Sequence, residues 1–95
     1  MPFPTETKVV EEAVLVDLNF HPKADYFYKF SDQSGKEYFI LGYDDHFEIK
    51  LFFGDTVDRD FLYAAHIGLK VGLRYIEYKG KNLVTSVWFS KAHKL

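Results

Sequence analysis

The residues of this sequence best equipped for chemistry are rings and cations. The stretch YFYKFSDQSGKEYFILGY, residues 26–43, carries rings at Tyr26, Phe27, Tyr28, Phe30, Tyr38, Phe39 and Tyr43, and the C-terminal third adds Tyr78 and Trp88 beside Arg74, Lys79 and Lys81. Strand alternation assigns these side chains to faces, since successive residues of a strand point to opposite sides. Tyr26, Tyr28 and Phe30 are expected inside, because Lys29 and Ser31 mark the opposite side as polar. Phe27 then shares the solvent side with Lys29. In the last strand Leu83, Thr85, Val87 and Phe89 form the expected inner row, leaving Val84, Ser86 and Trp88 outward. Arg74 is outward by its charge, with Tyr78 at the same parity.

Phe27, Tyr43, Tyr78 and Trp88, beside Lys29, Arg74, Lys79 and Lys81, therefore make a candidate single-strand nucleic-acid surface. Rings stack on bases at about 1–3 kcal/mol each while cations meet phosphates. The alternative is that the rings are core, since a register slip of one residue exchanges the two faces.

A second constellation is acidic: Asp44-Asp45-His46, then Asp55, Asp58 and Asp60. Carboxylates with imidazole can hold a cation or move protons. The first group, however, suits a turn, and the later three suit a helix start. His21, His46, His66 and His93 show no i,i+4 pairing. The chain has no Cys, which excludes a cysteine nucleophile and a thiolate metal site. With no Gly-rich phosphate loop or Gly-x-Ser-x-Gly elbow, the sequence offers no warrant for catalysis, and no catalytic residue, metal or cofactor is expected.

The elements that must position these residues read mostly as strands. VLVDLNFH alternates, with Val14, Val16, Leu18 and Phe20 expected toward the core and Leu15, Asp17, Asn19 and His21 away from it. KVVEEA before it is expected to be extended, with a bulge at Glu11–Glu12. Pro22 ends this strand, and a second runs through Phe30. The Ser31–Gly35 stretch turns the chain into a hairpin whose return strand covers about 36–43. FEIKLFF sets Phe47, Ile49, Leu51 and Phe53 against Glu48, Lys50 and Phe52, and reads as a fourth strand or a bent continuation of the third. One short helix is expected at about 56–67, capped by Asp55 or Thr56, with Val57, Phe61, Ala64 and Ala65 as its apolar stripe and Gly68 at its exit. LRYIEY and NLVTSVWF then form a hairpin about KGKN.

At 95 residues, with no repeat or linker, a single domain over 1–95 is expected. Ten Phe, seven Tyr and one Trp supply a core dense enough for that size. No leader or membrane-length apolar run is present, so the expectation is a soluble, cytoplasmic protein that does not engage a membrane. The net charge of −2 hides an asymmetry: residues 1–69 carry six Lys/Arg against thirteen Asp/Glu, a net of −7, while residues 70–95 carry six against one, a net of +5. The basic end suits a polyanion, and equally an attraction between the two halves of the domain.

Strands, one helix, then a closing hairpin is also the order of the OB-fold. FSDQSGKEYFIL resembles its central hairpin, DRDFLYAAHIG stands in its helix position, and GLKVGLRYIEYKGKNLVTSVWF resembles its closing hairpin entered through Leu-x-x-Gly; together they cover roughly 26–89. DDHFEIKLFF exceeds what a minimal barrel needs, and as a separate strand would fit a different small barrel or an open α+β sheet. The resemblance implies a mainly β barrel of five to six strands. It also implies non-catalytic binding, since many OB domains take single-stranded nucleic acid or oligosaccharide on the face of strands two and three and others bind only proteins. The expected partner is single-stranded nucleic acid. The alternative is a protein partner or a homo-oligomer formed on the same exposed rings, since aromatics and Arg also mark interface centres.

Overall fold

The computed structural model describes residues 6–19, 21, 23–42 and 44–90, with residues 44–46 taken by backbone alone. Five strands and two helices follow in order: β1 (Lys8–Leu18), β2 (Tyr28–Asp32), β3 (Glu37–Ile40), α1 (Asp44–Phe53), α2 (Arg59–Ala64), β4 (Lys70–Tyr78) and β5 (Lys81–Phe89). The strands close into a barrel in the order β1-β2-β3-β5-β4, with β4 returning to β1. All pairings are antiparallel except β3 with β5, which meet in parallel through Phe39 opposite Leu83. No described helix is long and apolar enough to cross a membrane.

Bulges decide which side chains enter the barrel. Val10 pairs with Leu73 but Ala13 with Val71, so β1 carries one extra residue at Glu11–Glu12, where the sequence predicts it. A second irregularity follows, since Leu15 pairs with Phe30 and Asp17 with Lys29, leaving Val16 as the extra residue. Between the two bulges Ala13 and Leu15 point inward; beyond the second, Leu18 packs on the core. The inward set of β1 is thus corrected: Leu15 is fully buried, Val16 is 40% exposed and Val14 is intermediate, while Phe20 lies outside the described residues. A bulge advances the chain without a pairing partner, so a single parity cannot hold along the whole strand.

β5 is corrected for the same reason. Arg74 pairs with Ser86 and Tyr75 with Val84, so Thr85 is the extra residue; its hydroxyl donates to the Arg74 carbonyl at 3.3 Å. Val84 and Val87 both enter the core, and Leu83 faces out, opposite Ile76. Before β2 the expected faces of Tyr26 and Phe27 are exchanged. Phe27 packs on the core, while the Tyr26 ring lies 5.5 Å from Phe39 and its hydroxyl donates to Asp17.

The interior is aromatic. Phe61, from α2, sets its ring 5.8 Å from Tyr28 and 6.4 Å from Phe30, while Tyr38 and Tyr75 meet edge to face at 4.7 Å. The β2–β3 turn is held by Asp32, whose carboxylate accepts from the Ser34 hydroxyl at 2.7 Å, the Tyr38 hydroxyl at 2.8 Å and the amides of Ser34 and Lys36. These donors, the Ser34 hydroxyl foremost, pull its pKa down to about 2. In the β4–β5 turn Lys79 and Gly80 both take positive φ, as a two-residue turn matching strand twist requires.

Two helices stand where the sequence predicts one. The later begins at Arg59 rather than near 56, because Asp58 is the cap, accepting from the Phe61 amide at 2.8 Å, while the Thr56 carbonyl is taken by the Val87 amide. Residues 44–53 form a helix rather than a strand. A closed barrel has no sheet edge left to receive another strand, and one helical turn brings Ile49 and Phe53 onto a common face. That face packs on Ile76 and Leu83, outside the barrel, together with Phe39, Leu41 and Tyr78.

Replacing Leu15 with Ala is expected to lower the unfolding free energy by about 2–5 kcal/mol, whereas Val16→Ala changes it by less than about 1 kcal/mol. Urea titration of the two variants checks the bulge assignment, and a larger loss at Val16 would reverse it.

Candidate interaction surfaces

The β4–β5 hairpin orders most of the expected binding residues along one outer face. Its cross-strand rows run Gly72 with Trp88, Arg74 with Ser86, Ile76 with Leu83, and Tyr78 with Lys81. At about 3.3 Å per residue, the six steps from Gly72 to Tyr78 span roughly 20 Å. The third row is covered, because Ile49 of α1 sits on Ile76 and Leu83. Trp88 and Arg74 are thereby separated from Lys79 and Lys81 at the turn, and a strand lying along the hairpin would meet α1 between them.

At the open end the indole of Trp88 lies close over Gly72. A Cβ at position 72 would come within 2.2 Å of the indole Nε1, so only glycine lets the ring settle there. Trp88 is 38% exposed, Arg74 beside it is exposed, and Val9 of β1 stands opposite Arg74. Among the described residues Arg74 makes no ion pair. A ring and an uncommitted guanidinium thus share an open sheet surface.

The other expected residues are placed differently. Phe27 is half-buried, packed on the core and against Gly42, where a Cβ would meet its ring at 2.7 Å. Lys29 pairs with Glu37 at 2.7 Å, and that carboxylate raises the ammonium above its ordinary pKa. Tyr78 is half-buried beneath α1, with Lys79 Nζ 5.2 Å from its ring centre. Lys79 and Lys81 are exposed, and Tyr43 lies outside the described residues.

A second surface was missed by strand reasoning. On α1, Phe47 is 61% exposed, Leu51 71% and Phe52 54%, and Leu62, Tyr63 and Ile67 are more than half exposed on and after α2. FEIKLFF carried little signal for it: Phe47, Ile49, Leu51 and Phe53 alternate with Glu48 and Lys50 as in a strand, and Phe52 alone departs from that pattern. This segment, residues 44–67, holds six carboxylates against Lys50 and Arg59, a net of −4. Among the described residues no three His, Asp or Glu side chains gather as a metal site.

No protein-family model, curated protein or solved structure matches this chain.

Gly72→Ala is expected to lift the indole from the sheet and shift Trp88 emission to longer wavelength while the far-UV circular dichroism stays unchanged, since Gly72 does not take positive φ. An unaltered emission spectrum would show that the ring does not rest on this glycine.

Proposed function

We propose that the protein is a non-catalytic interaction module: an OB-like barrel that docks a protein partner through the apolar outer side of α1 and the adjoining α2. The strand order β1-β2-β3-β5-β4 and the parallel β3–β5 contact support the OB-like reading. The carrying observation is that α1 is apolar on two sides: Ile49 and Phe53 are spent on the barrel, while Phe47, Leu51 and Phe52 are exposed. Apolar side chains left exposed together on the open side of a helix whose other side is already bound mark an interaction site. Phe39 and Leu41, at the end of β3, already carry the α1 cluster, so the protein's own helix occupies part of the region where an OB barrel takes oligonucleotides.

A photo-crosslinking amino acid at position 51 of the full chain, activated in cells of the source organism, is expected to give protein adducts that the same probe at exposed Lys23 does not. Absence of adducts specific to position 51 would overturn the reading.

A second reading, non-specific binding of single-stranded nucleic acid, is favoured by one observation: the Trp88 ring is part-exposed beside the Arg74 guanidinium, which makes no ion pair among the described residues. Oligothymidine added at low salt would then quench Trp88 emission, with affinity falling as salt rises because phosphate contacts release counterions. No quenching even at low salt removes this reading.

A further inference from the structure

The molecule carries two apolar patches of opposite charge. The first is the α1–α2 segment, whose residues 47–67 carry four carboxylates against Lys50 and Arg59, a net of −2, and on which Phe47, Leu51, Phe52, Leu62, Tyr63 and Ile67 are exposed. Its Lys50 is already engaged by Asp55 at 3.4 Å, so the segment meets its surroundings as a carboxylate-rimmed apolar surface. The second is the open end of the β4–β5 hairpin, where Lys70 and Arg74 stand on the Trp88 side, a net of +2, while Lys79, Lys81 and Glu77 lie toward the turn beyond the row that α1 covers. Glu77 is itself held by Lys8 at 3.2 Å and approached by Lys36 at 3.9 Å. Among the described residues Lys70, Arg74 and Lys81 have no carboxylate partner, and Trp88 and Val9 supply exposed apolar surface beside Arg74.

From these two patches the geometry points to head-to-tail self-association: the acidic α1–α2 surface of one copy seats on the basic Trp88 side of the β4–β5 hairpin of the next. This rests on the interaction-module reading and names its partner, a second copy of the chain. Charge selects the arrangement. A two-fold contact through the helical surface would set −2 against −2, and one through the Trp88 end of the hairpin +2 against +2, whereas the crossed contact pairs opposite charges around apolar centres. Six exposed apolar side chains at roughly 100 Å² each bring the helical patch to about 600 Å², close to the ~800 Å² per partner of a standard interface. Because the patches differ, every contact leaves one of each free, so growth continues beyond two copies into a ring or an open filament.

Sedimentation velocity on the full chain tests this. The apparent mass is expected to rise past that of a dimer with concentration, and raising salt from about 50 to 500 mM is expected to move the midpoint at least tenfold higher, as screened charge pairs require. Leu51→Glu and Trp88→Ala should each sediment as monomers, and their equimolar mixture should form a one-to-one dimer and nothing larger, because only one intact pair of patches remains. Arg74→Glu in place of Trp88→Ala repeats the test with the indole retained. A wild-type chain that stays monomeric at high concentration, or a mixture that fails to dimerise, overturns the head-to-tail contact. If the chain is monomeric while position 51 crosslinks a different protein, the self-association falls and the interaction-module reading stands. If position 51 also yields no protein adduct, both fall.

Discussion

Five strands can close into so small a barrel only if they bend, and the bulges at Glu11–Glu12, Val16 and Thr85 do the bending. Each also resets the alternation of its strand. In β1 they allow Ala13, Leu15 and Leu18 all to face the core, a set that no single parity would bury. In β5 the extra Thr85 admits Val84 beside Val87 and turns Leu83 outward. With Ile76 opposite it, Leu83 becomes an apolar seat on the outside of the barrel, and α1 takes that seat through Ile49. A local irregularity in one strand therefore determines where a helix docks.

The aromatic excess divides accordingly. One set fills the barrel, where Tyr28, Phe30 and Phe61 cluster and Tyr38 meets Tyr75. Another lies between barrel and helix, where Phe39, Phe53 and Tyr78 surround Ile49. A third, with Trp88, Phe47, Phe52 and Tyr63, faces solvent. Rings carry large apolar area with few rotatable bonds, so they serve a core and an interface equally well, and only their placement separates the two uses.

Polar chemistry in the molecule is largely spent on holding the hairpins. Asp32 closes the β2–β3 turn and fixes the Tyr38 hydroxyl, and Lys36 donates to the Tyr75 hydroxyl at 3.1 Å, tying that turn to β4. Asn82 donates to the Glu37 carbonyl at 2.9 Å, joining the start of β5 to β3. Asp32, Lys36 and Asn82 thus act as turn and cross-strand fasteners, while Arg74 and Lys70 make no ion pair among the described residues.

Much of the barrel was legible in the sequence. Gly35 and Asp32 mark the first hairpin, Gly80 in KGKN the last, and the Glu11–Glu12 bulge follows from two charged residues interrupting an apolar run, because turn and bulge chemistry acts over a few residues of backbone. Phe61 was legible as the buried anchor of a helix for the same local reason. The inward faces of β1 and β5 were not, since the bulges at Val16 and Thr85 arise from the curvature that barrel closure imposes and no side chain announces them. Nor was α1: Phe47, Ile49, Leu51 and Phe53 alternate as a strand would. Only the tertiary structure, by leaving no free sheet edge and by offering Ile76 and Leu83 outside the barrel, decided that these residues form a helix with one apolar side bound and the other open.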